Sequence, residues 1–334
     1  MLSRVAESLL WMGRYVERAE NTARILDINF RLLLDNETDE DDSAWAPLVN
    51  LVPQTRALFE DRYPAATPEA VSRFMTFDEG NPDSILSTII MARENARSCR
   101  ESVSSDMWEV LNTLYLSITG PGAQAAWTQS PYAFYRQIQH GSQHMQGTTD
   151  ATLPHDDGWH FIQVGKLLER ADSATRILDA KRALLVPSDE REGLDGTQLT
   201  AVLRSCSAYE AYRRQVHAHL TPKGVVRFLL LDPLFPRSVR FCIDGAWGAL
   251  RALGIPSARQ QANQAERAIG LLRAQLEFAD IDEVLADRPA ALDRMQRHIN
   301  RVGEQVHRVY LYSHQRSAAG MTAQRAAQAI TDQQ

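Results

Sequence analysis

Cysteine is scarce: Cys99, Cys206 and Cys242 stand far apart, with no CxxC spacing. An odd number cannot all pair within one chain, which argues against a disulfide framework and for a reducing compartment. Long apolar runs are also missing. The longest, such as FLLL at 228–231, are core-sized, far short of the roughly 18 residues that a spanning helix needs. The opening stretch MLSRVAESLLWMGRYVERAEN carries charges throughout and lacks the apolar core and small-residue cleavage site of a secretory signal. The expectation is a cytoplasmic protein with no membrane association. Excess positive charge is absent as well: the net charge of −6 gives no global attraction to nucleic acid or anionic lipid. Catalytic signatures are equally sparse. GPGAQ at 120–124 lacks the lysine and flanking strand of a phosphate loop, which excludes a self-contained ATP-using enzyme of that type. No nucleophile elbow occurs and no cysteine has a convincing histidine partner; Ser3, Ser104 and Ser105 read as helix caps or packing residues.

What the chain does have is helical periodicity. Its 334 residues, 44% hydrophobic and 23% charged, suffice to bury a large core without disulfides or metal. Val5, Leu9, Met12, Val16, Ala19, Ala23 and Leu26 alternate steps of four and three, one continuous helical stripe. The same test predicts helices near 82–117, 129–147, 157–185, 196–218, 236–253, 258–279 and 288–317, with less regular ones in 44–75. DNETDEDD at 35–42, GNPDS at 80–84, TGPGA at 119–123, GTTDATLPHDDG at 147–158 and VPSDEREGLDG at 186–196 punctuate them. No β-branched alternation recurs, although GVVRFLLLD at 224–232 reads equally as a strand or a buried helix.

One pattern is written twice. MGRYVERAENTARILD at 12–27 and VGKLLERADSATRILD at 164–179 share eight of sixteen residues, and Arg14/Lys166 and Glu20/Asp172 keep their charge. Buried helix faces draw on few residue types, so apolar likeness alone would be uninformative; matched charges are not explained that way. The expected fold is therefore all-α, a multi-helix bundle built from two pseudo-repeated helical halves. Residues 1–150 form the N-terminal half, 151–316 the C-terminal half packed with it as one domain, and the Ala/Gln-rich 317–334 a flexible tail.

At 100° per residue, Arg14, Glu17, Asn21 and Arg24 share an arc roughly opposite the apolar stripe, and Lys166, Glu169, Ser173 and Arg176 repeat it. With Arg18 and Arg170 beside them, two such helices would face each other across a polar seam. MARENARSCRESV adds Arg93, Glu94, Asn95, Arg97 and Arg100, and the three-residue spacing of Arg97 and Arg100 recurs in Arg237 and Arg240, suggesting a second repeated helix. Arginine suits such a seam because its planar fork grips carboxylate or phosphate bidentately and stays charged when partly buried. The competing reading is structural, since Glu and Arg at helical spacing also form surface pairs or buried pairs that fix helix register. His140 and His144, four apart, with His155, Asp156, Asp157 and His160 nearby, form a weaker metal-ligand pattern, read as a polar loop between the halves; His217 and His219, alternate residues, cannot face one ion together. Trp11, Trp108, Trp159 and Trp247 are expected where helices meet.

LSRVAESLLWMGRYVERAENTARILD, ARENARSCRESVSSDMWEVLN, GWHFIQVGKLLERADSATRILD and DPLFPRSVRF, in this order, resemble the bacterial Alpha-E family, an all-helical domain named for its Glu-Arg motif, here Glu17-Arg18 and Glu169-Arg170. The resemblance covers the chain to about residue 315. It implies a partner: family members are encoded beside, or fused to, a circularly permuted ATP-grasp protein, with a transglutaminase-like or proteasome-like peptidase in some systems. The implied role is the accessory, substrate-binding subunit of an amide (peptide) ligase, with ATP-Mg on the partner and no cofactor bound by this chain. In that setting Arg24, Arg97, Arg176 and Arg237 clamp a carboxylate or phosphoryl group of a peptide or small-metabolite substrate, and Glu17 and Glu169 orient the amine or accept its proton. The alternatives are a stand-alone transferase or hydrolase acting through the same seam, and a purely structural interaction protein.

Overall fold

Helix starts are spelled out locally. Thr67, Ser84, Ser104, Ser130, Asp156, Thr221, Ser238, Asp280 and Asp287 each cap a helix by accepting a backbone N–H with the side chain, and proline follows in the first turn after Thr67, Ser130, Thr221 and Asp287. The computed structural model describes residues 1, 3–35, 45–51, 55–181, 195–215, 219–253 and 262–311, so the tail 317–334 and His217 lie outside the described residues. Among them the helices are α1 (Ser3–Asp35), α2 (Thr55–Arg62), α3 (Pro68–Thr76), α4 (Ile85–Ser98), α5 (Ser105–Thr119), α6 (Ala123–Gln129), α7 (Pro131–Thr152), α8 (Asp157–Ala180), α9 (Asp195–Ser205), α10 (Tyr209–Gln215), α11 (Pro222–Leu231), α12 (Val239–Ala252), α13 (Ala262–Glu277), α14 (Ile281–Ala286) and α15 (Arg288–Val306). There is no strand among the described residues, and the fold is all-α.

Three expectations of detail change. The helix expected over 82–117 is two, because Arg100–Ser102 form a single tight turn and Ser104 caps a new helix. That expected over 196–218 breaks at Ser207, whose φ of 52° ends α9 in the left-handed region. The ambiguous GVVRFLLLD is helical, in α11, where the Thr221 cap and Pro222 set the start. Residue 150 falls within α7, and the α7–α8 turn is 153–156.

Packing follows two circuits of four helices. α1 lies against α4 and α7, with α5 touching both of these; α8 lies against α12 and α15, with α13 touching both. α1 and α8 pack on each other at the centre, and α1 is buried on every side from Ala19 to Asn29. One hydrophobic core runs through both circuits, from Ala6 to Val309. The α1–α8 contacts join residues 151, 152 and 153 apart, Arg18 with Glu169, Asn29 with Lys181 and Arg170 with Glu17. A constant separation means that the two helices run parallel. Their close approach depends on two glycines. A Cβ on Gly13 would come within 2.6 Å of the Ile162 carbonyl oxygen, and one on Gly165 would overlap that of Leu10. No helix among the described residues is long and apolar enough to cross a membrane.

Candidate functional site

The Glu-Arg motifs of α1 and α8 cross. Arg170 grips Glu17 through Nε to Oε1 (2.9 Å) and Nη2 to Oε2 (2.7 Å), while Arg18 grips Glu169 through Nε to Oε1 (2.5 Å) and Nη2 to Oε2 (2.9 Å). Each is a bidentate, charge-assisted pair set into the seam between parallel helices. Burial alone would raise both carboxyl pKa values; Arg170 and Arg237 around Glu17, and Arg18 and Arg14 around Glu169, overcome it and hold both below the usual range.

The surroundings of the two pairs differ. At the first, Arg237, just before α12, donates to Glu17 Oε1 (2.8 Å), Asn21 Oδ1 (2.9 Å) and Glu20 Oε1 (2.6 Å). Gln146 of α7 adds bonds to Glu17 Oε2 (3.1 Å), Glu20 Oε2 (3.0 Å) and from Arg170 (3.0 Å), Gln143 reaches Glu20 (3.2 Å), and Arg24 donates to both Glu20 and Ser207. Glu17 and Glu20 are wholly buried and every oxygen is engaged, so this locus is closed. Cys206 and Cys242 sit beside it, and burial pushes both thiols up to about 12, leaving them inert as nucleophiles.

The second locus is open. Arg14, Arg18, Thr22, Ile25, Leu51, Glu169, Asp172, Ser173, Arg176 and Asn300 of α15 line a cavity of about 190 Å³. Arg14 Nε stands 3.3 Å from Glu169 Oε2 without a hydrogen bond, and Asp172 takes one bond, from Arg176 Nε to Oδ2 (2.6 Å). Its Oδ1 is buried with no partner, and burial, only partly offset by Arg176, raises the Asp172 carboxyl. Asp83, just before α4, binds Arg18 from the far side.

A model of the Alpha-E family, described as "a predicted alpha-helical domain with a conserved ER motif", matches residues 1–311. The chain belongs to the Alpha-E family. Uncharacterized proteins of Mycobacterium bovis and of two Mycobacterium tuberculosis strains are 24% identical to it over 304 residues, which is 85% of this chain and 34% of each relative. The chain thus spans about a third of the length of these curated relatives. No solved structure matches it.

In this Alpha-E chain the expected site residues separate into three groups. Glu169, Arg14, Arg18 and Arg176 meet at the open cavity; Glu17, Asn21, Arg24, Arg170 and Arg237 build the closed locus. Arg93, Glu94, Asn95, Arg97 and Arg100 do not reach either. Arg93 binds Asn112 and covers Trp108 and Tyr115, Arg97 pairs with Glu94, Asn95 bonds its own helix at Met91, and Arg100 bonds the Val103 carbonyl. Arg240 lies beside Asp244, also outside the seam. The second repeated helix inferred from Arg97/Arg100 and Arg237/Arg240 is therefore misaligned: Arg97 ends α4, whereas Arg237 precedes α12. The residue at the same position before α4, one ahead of its serine cap, is Asp83.

Sequence reasoning missed Asp83, Gln143, Gln146 and Asn300, and noted Glu20 and Asp172 only as matched charges. A signal existed: TPEAVSRFMTFDEGNPDS at 67–84 and TPKGVVRFLLLDPLFPRS at 221–238 share eight of eighteen residues, aligning Asp83 with Arg237. Both segments start on a threonine cap and end on a serine cap. Of the four tryptophans assigned to helix junctions, Trp11, Trp108 and Trp247 carry arginines on their faces, and Trp159 stacks on His155 at 4.0 Å. No three His, Cys, Asp or Glu side chains among the described residues gather as metal ligands.

Proposed function

We propose that this Alpha-E chain is a substrate-binding subunit that works with an ATP-grasp amide ligase, and that its halves, 1–150 and 151–316, are two copies of one helical unit. Of the two copies of the Glu-Arg locus, one braces the core and the other receives substrate. The observation that carries this is the contrast between them: around Glu17 and Glu20 every carboxylate oxygen is buried and engaged, although Asn21 Nδ2 and Arg24 Nε have no partner, whereas around Glu169 an open cavity holds Arg14 Nε and the carboxylate oxygen Asp172 Oδ1 without a hydrogen bond. A cavity walled mostly by charged and polar side chains, without an activated nucleophile, suits binding and orientation, with the bond-forming step left to a partner that activates a carboxylate with ATP. The longer mycobacterial relatives are consistent with a helical segment that operates joined to other parts. Under this reading Glu17, Arg170, Arg237, Asn21 and Arg24 are bracing residues, and Glu169, Arg14, Arg18 and Arg176 face substrate.

The experiment is to purify this chain and its ATP-grasp neighbour, test co-elution, and measure ATP turnover by the neighbour with and without this chain across amino acids and peptides. Stable co-elution with turnover that depends on this chain is the expected result. Separate elution, with turnover indifferent to its addition, would remove the two-subunit ligase.

A further inference from the structure

The filled locus shows what the open one lacks. Residues line up pairwise at a separation of 152: Glu17 with Glu169, Glu20 with Asp172, Asn21 with Ser173, Arg24 with Arg176, and Arg14 with Lys166. Contacts repeat with the residues. Glu20 takes Arg24 from one turn on, as Asp172 takes Arg176, and the two Glu-Arg pairs cross reciprocally. At the filled locus a single guanidinium, that of Arg237, bridges Glu17, Glu20 and Asn21. Their counterparts Glu169, Asp172 and Ser173 all line the open cavity. Asp83, in the place of Arg237, is too short to enter it and binds Arg18 instead. On the α7 and α15 side, Gln146 donates to Glu17 and Glu20 and accepts from Arg170, whereas Asn300, which lines the open cavity, makes no side-chain hydrogen bond among the described residues.

Charge agrees with shape. Exchanging an arginine for an aspartate moves the open locus two charges toward negative relative to the filled one. Asp172 Oδ1, buried with no donor, corresponds to Glu20 Oε2, which Gln146 satisfies at the filled locus while Arg237 shares Glu20 Oε1 with Arg24, and an unsatisfied buried carboxylate oxygen costs stability until a donor arrives. The cavity of about 190 Å³ equals the share of roughly six liquid waters, room for a guanidinium or alkylammonium head group with a short stem.

The geometry points to a cation site: the Glu169–Asp172–Ser173 cavity takes the guanidinium or primary ammonium group of a ligand, in the position that Arg237 fills by itself at Glu17–Glu20–Asn21. Asp172 Oδ1 and Glu169 accept its N–H groups, and Arg14, which lies over Trp11 and is ion-paired with Glu169 but makes no hydrogen bond among the described residues, turns to an anionic group on the same ligand. Resting on the substrate-binding reading above, this makes the bound group the amine-bearing partner of amide formation, held through a cationic head.

The test is isothermal titration calorimetry on the full chain alone, with agmatine and butylammonium as cation probes and acetate and inorganic phosphate as anion probes. Saturable agmatine binding is expected, weakened at least about tenfold by Asp172→Asn, since one charge-assisted bond is lost. Asp83→Arg is expected to abolish agmatine binding and raise the melting temperature, because its own guanidinium fills the cavity. This second variant leaves every cavity residue in place, so the site remains testable if Asp172→Asn does not fold. Binding of acetate or phosphate in preference to the cations would make the cavity an anion site on Arg14 and Arg176, and would overturn the assignment. So would an absence of saturable cation binding, or agmatine binding unchanged by both variants. The titration needs no ligase: agmatine binding without any effect on ATP turnover would keep the site and remove the ligase role, and the reverse pattern would do the opposite.

Discussion

Replacing Glu17 by glutamine tests whether the first Glu-Arg pair braces the fold or performs chemistry. Its two carboxylate oxygens accept four hydrogen bonds, two from Arg170 and one each from Arg237 and Gln146. Glutamine offers one acceptor oxygen and turns an NH₂ toward donors where the other stood, so two of the four bonds lose their acceptor. The two guanidiniums lose the anion that offset their burial. Removing one partner of a buried ion pair costs about 3–5 kcal/mol, and for a chain of 334 residues each kcal/mol shifts the melting temperature by about 1.4 °C. Thermal unfolding followed by circular dichroism should therefore show a drop of roughly 4–7 °C for Glu17→Gln. The exposed Arg56–Glu60 pair is the control, and Glu60→Gln should change stability by less than about 0.5 kcal/mol. If Glu17→Gln melts with the wild-type protein while abolishing an activity, the bracing argument fails and the stand-alone enzyme reading gains.

Gly13→Ala and Gly165→Ala should each destabilise by at least about 1–3 kcal/mol, since the new methyl meets a backbone carbonyl across the α1–α8 seam, whereas Gly147→Ala, which meets nothing, should stabilise by up to about 1 kcal/mol; urea midpoints at constant slope decide it. In acid, Glu17 and Glu169, both held below the ordinary carboxylate value, contribute stability that is complete above about pH 4.3 and lost as pH falls through their folded values. Asp172, raised by burial, acts with the opposite sign, so Asp172→Asn should steepen the acid loss. Lys181, buried beside Asn29, is pushed down to about 8; the unfolded chain holds that proton to about pH 10.4, so stability should rise between these pH values, and Lys181→Met should flatten the rise in urea titrations at pH 7, 9 and 10.

The helical class and the Glu-Arg pairs were legible because both are written locally. Periodicity and caps mark the helices, and the two sixteen-residue stretches align by eye. The polar seam was legible in outline as well, although Arg18 and Arg170, off the arc of Glu17 and Glu169, turned out to carry the crossing. What could not be read from α1 and α8 alone was which arginine comes from elsewhere. Arg97, Arg100, Arg237 and Arg240 share a spacing, and spacing says nothing about which end of a helix a residue occupies. The serine caps do: Ser84 and Ser238 fix Asp83 and Arg237 as the residues entering α4 and α12. Gln146 and Asn300 lie on α7 and α15, whose approach to the seam depends on tertiary packing, and no local pattern marks them.

Reciprocal pairing also explains why a motif of two adjacent residues, rather than one, recurs. On parallel helices related by a twofold axis, a residue facing the axis meets its own counterpart, and identical charges would repel. Adjacent Glu and Arg let each helix offer an acid beside a base, so that both contacts are attractive when the helices are in step. A slip of one residue would pair Glu with Glu or Arg with Arg, which makes the crossed motif a register lock as well as a bond. Once register is secured twice, the flanking groups are free to diverge. One set, with Arg237, closed; the other, with Asp83, kept a buried acceptor without a donor. Under the proposed duplication, the stability lost at Asp172 is borne by the filled locus, which leaves the open one free for the proposed ligand.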